Sequence, residues 1–88
     1  MVRYYFHTES GGVSLDDEGM DLSGYDEARV EAARMLGEML KDDAHQFWSK
    51  RSMRLIVTDE SGLILFALDI SGVEAPALSR ERRPRPAA

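Results

Sequence analysis

Apolar and polar side chains alternate from the second residue onward. In "VRYYFHT", Val2, Tyr4 and Phe6 fall on one side of an extended chain and Arg3, Tyr5 and His7 on the other. That alternation predicts a β-strand with one buried face. "ESGG", Glu9–Gly12, holds turn residues that accept positive φ. "VSL", Val13–Leu15, suits a short return strand. "DDEG" turns the chain again, and "MDL" leads into the next element.

The period then changes from two to 3.6. Tyr25, Ala28, Ala32, Met35, Leu36, Met39 and Leu40 recur at three- and four-residue spacing and mark the expected buried stripe of a helix. Ser23 suits the N-cap, with Asp26 three residues on as in a capping box, so the helix is expected from Ser23 to near Asp43, fraying through Phe47. Gly37 inside it costs about 1 kcal/mol relative to alanine, which close packing against a sheet would offset. "HQFWSKR", His45–Arg51, is expected to be a connection in which Phe47 or Trp48 caps an end of the core.

Two further strands follow, "SMRLIVTD" and "LILFALDI", joined by the hairpin turn "DESG", Asp59–Gly62. Regularity stops at Ser71. The sequence therefore divides into one domain, residues 1–72, and a disordered Pro/Arg-rich tail, residues 73–88. The expected fold class is α+β, in the order β-β-α-β-β. It would be an antiparallel four-stranded sheet with one helix packed on one face.

The last strand does not alternate. Ile64, Phe66, Leu68 and Ile70 form one set and Leu63, Leu65, Ala67 and Asp69 the other, and both are apolar. A sheet with one helix layer should keep one wet face. The outer face is thus expected to be covered by a second copy in a homodimer, by another protein, or by the chain's own loops. The candidate interface is Tyr5, Ile56, Leu63 and Leu65, a patch of roughly several hundred Å² by the usual scale of functional apolar patches.

Composition narrows the possibilities. Eighty-eight residues make one small domain without a deep interdomain cleft. Cysteine is absent, which removes disulfides, thiolate zinc sites and thiol catalysis, and fits a reducing compartment. No apolar run approaches the ~20 residues that cross a bilayer, and the first ten residues lack the features of a secretory leader. The expected location is the cytoplasm, away from any membrane. Residues 1–75 carry 7 basic and 15 acidic side chains, a net charge of −8, whereas the remainder carries +3. An acidic body repels phosphate, so nucleic acid is approachable only through the arginine tail. A nucleic-acid-associated regulator using that tail is one alternative function.

Candidate chemistry is sparse. Asp16, Asp17, Glu18 and Asp21 surround Gly19, but an EF-hand loop needs acids at positions 1, 3, 5 and 12 with glycine at 6. Counted from Asp16, glycine falls at 4, and an Asp-rich turn explains the cluster. His7, with Asp69 or Glu9 as partner, is the remaining base or metal ligand; His45 stands at no metal-binding spacing from it. A small metal-dependent enzyme using His7 and the Asp16–Asp21 carboxylates is the second alternative. No serine lies in a nucleophile elbow, and neither "ESGG" nor "DESG" has phosphate-loop spacing. No residue is assigned a catalytic, cofactor-binding or metal role. The expected function is a non-catalytic protein-interaction or self-association module.

Four short motifs in order carry a resemblance. They are "RYYFH" at Arg3–His7, Asp-x-Glu-Gly-x-Asp-Leu at Asp16–Leu22, Ala-x-x-x-Ala at Ala28 and Ala32, and "VTDESGLILF" at Val57–Phe66. Together they resemble a family of short bacterial proteins, common in rhizobia, known only as a domain of unknown function. The resemblance rests on the order and spacing of these motifs and spans residues 2 to about 70. It implies a compact α+β domain, and no activity.

Overall fold

The computed structural model describes residues 1–77; Leu78 onward, and with it the arginine cluster of the tail, lies outside them. The described chain is α+β. It comprises β1 (Val2–Glu9), β2 (Val13–Ser14), β3 (Met20–Leu22), α1 (Tyr25–Asp42), α2 (Ala44–Lys50), β4 (Ser52–Thr58) and β5 (Ile64–Ser71). All strand pairs are antiparallel, in the order β2-β1-β4-β5, and β3 also pairs with β1. The helices lie against one sheet face.

Two elements were not legible as such. "MDL" is a strand, pairing Val2 with Leu22 and Tyr4 with Met20. Three residues are too few for alternation to show. The expected connection His45–Arg51 is largely helix α2, whose seven residues give only two turns of periodicity. The sheet thus has five strands and the helical layer two helices, in place of four and one.

α1 begins one residue later than expected. Gly24 is its N-cap and makes no side-chain cap. Glu27 instead reaches back, its Oε1 accepting the Ser23 N–H at 2.6 Å. The bond ends one residue before the N-cap, so it ties down the entry to the helix without completing the capping box expected from Ser23 and Asp26. α1 ends where the Asp43 N–H bonds the Met39 carbonyl, and the Asp43 carbonyl then accepts from Phe47 to start α2.

The core lies between α1 and the central strands. Tyr4 and Phe6 of β1 and Met53, Leu55 and Val57 of β4 meet Ala28, Ala32 and Leu36 of α1. Alanines at 28 and 32 let the helix approach the sheet closely. Phe47 of α2 closes one end of this core, while Trp48 packs edge-on to it and stays half-exposed. Gly37 is exposed, with no atom near the place its Cβ would occupy, so it does not serve close packing.

Candidate interaction surface

β1 needs a second neighbour that no single strand provides. Away from β4 it pairs with β3 at Val2–Tyr4 and with β2 at Thr8 and Glu9. Between them the Phe6 N–H is left over, and Asp16 Oδ2 accepts it at 3.1 Å. Asp16 Oδ1 accepts the backbone N–H groups of Glu18 (3.0 Å) and Gly19 (3.1 Å). The carboxylate therefore both bridges the strand edge and ties its own turn. Gly19 sits at φ 76°, where its missing Cβ would lie 2.9 Å from Arg3 Cγ and 3.0 Å from Tyr5 Cε2. Only glycine lets the turn close over these side chains.

Burial pushes the Asp16 carboxyl up. The three backbone donors, from Gly19, Phe6 and Glu18, together with nearby His7, outweigh that and hold it below its ordinary value. Asp21, of the same cluster, is clamped by Arg3, with Nε–Oδ1 at 3.0 Å and Nη2–Oδ2 at 2.9 Å, and Arg3 also donates to the Glu18 carbonyl. Asp17 and Glu18 are exposed. Among the described residues no group of three or more metal-ligating side chains converges.

His7 is also engaged at both nitrogens. Nδ1 accepts the Asp16 N–H at 3.1 Å, so the ring hydrogen lies on Nε2, which donates to Thr58 Oγ1 at 3.0 Å. Neither Asp69 nor Glu9 is its partner. Asp69 instead bonds Arg54 of the adjacent strand.

On the sheet face opposite the helices the register builds three cross-strand rows. Tyr5, Thr58 and Ile64 form one; His7, Ile56 and Ala67 the second; Glu9, Arg54 and Asp69 the third. The first two are apolar or internally bonded, and Tyr5 and His7 stack with planes 8° apart. The Arg54–Asp69 pair borders them at one end and the Arg3–Asp21 pair at the other.

The expected interface residues divide on this surface. Ile56 is central and half-buried. Tyr5 is half-buried, partly under the Gly19 turn. Leu63, in the turn before β5, is 62% exposed. Leu65 falls at a β-bulge: Val57 faces Phe66 and Thr58 faces Ile64, leaving Leu65 without a partner. The alternation that groups Leu65 with Ala67 is therefore interrupted, and Leu65 packs half-buried against the core. Ile64 takes the outward place, 63% exposed. Simple alternation missed Ile64. No local signal marks this bulge: the left-handed Gly62, at φ 90°, belongs to the hairpin turn three residues earlier.

Two grooves border the sheet. One of about 680 Å³ lies at its end, lined by Glu9, Gly11, Arg54, Asp69 and Ser71. The other, about 610 Å³, runs between α1 and β5 and is lined by Tyr25, Arg29, Val30, Ala33, Phe66 and Leu68. No described helix is long and apolar enough to cross a membrane.

A family model described as a domain of unknown function, DUF6894, matches residues 3–71. No curated protein and no solved structure matches the chain.

Proposed function

The chain belongs to the DUF6894 family, a domain of unknown function, and from that premise we propose that it is a non-catalytic protein-association module of the cytoplasm acting through the open face of its sheet. One observation carries this reading. The rows Tyr5–Thr58–Ile64 and His7–Ile56–Ala67 form a centre of apolar and internally bonded side chains bordered by two ion pairs. A dry centre inside a charged border is the anatomy of protein interfaces. The absence of cysteine fits the reducing compartment. At ~25 cal/mol per Å² a patch of roughly several hundred Å² contributes some kcal/mol before association costs, which favours a weak to moderate complex.

The engagement of His7 at both ring nitrogens and of Asp16 at both oxygens supports placing these groups in the scaffold. The test is paired. Ile56→Lys puts a charge at the centre of the face, and Lys41→Glu, on the exposed side of α1, is the control. Capture of a partner protein should fall at least tenfold in Ile56→Lys and persist in Lys41→Glu, with both variants folded by circular dichroism. Equal binding by wild type and Ile56→Lys would remove the open face from consideration.

A further inference from the structure

The two edges of the sheet are treated differently. At the β1 edge, β2, β3 and the Asp16 carboxylate occupy the strand along its length. At the other edge β5, eight residues long, pairs with β4 and with no other described strand. Edge strands of that length are ordinarily guarded by lysine, proline, a bulge or a covering element. β5 contains no lysine or proline. Its one charge, Asp69, is bonded across the sheet to Arg54. Its bulge, at Leu65, lies ahead of the regular stretch Phe66–Ser71.

Beside this edge runs the groove of about 610 Å³ between β5 and α1. Tyr25, set edge-on to Phe66, is 49% exposed and Val30 59%. A strand added at β5 would gain ladder hydrogen bonds from the edge and an apolar trough for alternate side chains.

We propose that the occupant is a second copy of this chain, joined by antiparallel pairing of β5 with its counterpart about a two-fold axis at Leu68. The pattern of the strand selects both partner and register. Opposed residues in an antiparallel pair share a face, so a symmetric register must be centred on one residue. Centring on Leu68 sets Leu68 against its own copy, Phe66 against Ile70 and Ala67 against Asp69, and keeps five of the six regular residues in the ladder while leaving the bulge outside. The three residues on the helix side are all apolar. Centring on Asp69 would oppose two like charges, and centring on Ala67 would draw the bulged Leu65 into the ladder.

Charge supports the same contact. Two bodies of net charge −8 repel wherever acids meet, and β5 offers one charge in eight residues, already neutralised by Arg54. The groove itself carries one acid and one base, Asp26 and Arg29, 3.8 Å apart. In the dimer the two α1 helices flank the joined strands, and Tyr25 and Val30 of each line a shared trough. Their burial adds to the strand pairing toward the about 800 Å² per partner of a standard interface.

This inference rests on the reading of the chain as an association module, but it uses the strand edge where that reading uses the sheet face. The experiment is sedimentation velocity over a range of concentrations with amide hydrogen exchange on the full chain, for wild type, Val30→Glu and Ile56→Lys. The expected result is a concentration-dependent dimer in wild type and Ile56→Lys. In both, the amides of Phe66–Ile70 that point away from β4 exchange at least tenfold more slowly as the dimer forms. Val30→Glu should be monomeric, with fast exchange and an unchanged dichroism spectrum. In this cysteine-free chain, Leu68→Cys should form a disulfide-linked dimer under mild oxidation and Gly37→Cys should not. A dimer lost only in Ile56→Lys, with the outward β5 amides exchanging freely, would leave the face reading standing and overturn this one. A monomer at every concentration would overturn the dimer outright, while the capture test above still decides the face.

Discussion

The Phe6 backbone N–H donates to the Asp16 carboxylate at 3.1 Å, across the one gap in the pairing of β1. The same carboxylate accepts from Glu18 and Gly19. Asp16→Ala should therefore leave these donors without their partner and cost on the order of 1–3 kcal/mol. Asp17→Asn, at an exposed neighbour, should stay within about 0.5 kcal/mol of wild type. Urea denaturation of the two variants side by side checks the contrast, and equal midpoints would contradict it.

Asp16 also sets an acid limit. Burial raises its carboxyl, but the three N–H donors and His7 lower it further, so its folded value lies below its ordinary 3.8. A carboxyl lowered by folding contributes stability that is complete above the unfolded value and is lost as pH falls through the folded one. Wild-type stability should drop below about pH 4. The drop should be shallower in Asp16→Asn, which starts less stable at neutral pH and has no such proton to take up. Thermal melts between pH 2 and 6 give the slopes; parallel curves would refute the assignment.

Gly37 gives the opposite sign. It sits in the exposed part of α1, and nothing lies within 4 Å of the position of an added Cβ. Gly37→Ala should stabilise the protein by up to about 1 kcal/mol. In a domain of this size that raises Tm by roughly 4–8 °C. An unchanged or lower Tm would mean the helix is not exposed there.

At Gly72 space is absent. A Cβ would lie 2.7 and 2.9 Å from Trp48 ring atoms and 3.0 Å from Phe47 Cε2. Gly72→Val should cost about 1–3 kcal/mol through overpacking. Trp48 is the only tryptophan, so its fluorescence reports this contact directly. Its emission should shift to the red as the indole is displaced, and an unmoved spectrum with full stability would count against the close contact.

Some of this was written in short stretches of chain. The alternation through Val2–Thr8 placed Tyr4 and Phe6 in the core, and the 3.6 period placed Ala28, Ala32 and Leu36 there. The Asp59–Gly62 turn formed where its residues require it, with Asp59 Oδ1 accepting from Ser61 and Leu63. In each case the cause lies within a few consecutive residues, whose backbone geometry and apolar face are decided together.

The remainder came from contacts between distant segments. The sequence showed Asp16 as a turn former and had no means of showing that its other oxygen meets Phe6, ten residues back in β1. The stretch "LILFALDI" showed apolar residues on both faces, but which of Ile64 and Leu65 turns outward depended on the register slip against Val57 and Thr58. The strand order, with β1 and β4 central and β5 at the edge, likewise follows from how whole elements pack. Local pattern determines what a segment can bury, and only assembly of the segments decides against which neighbour it does so.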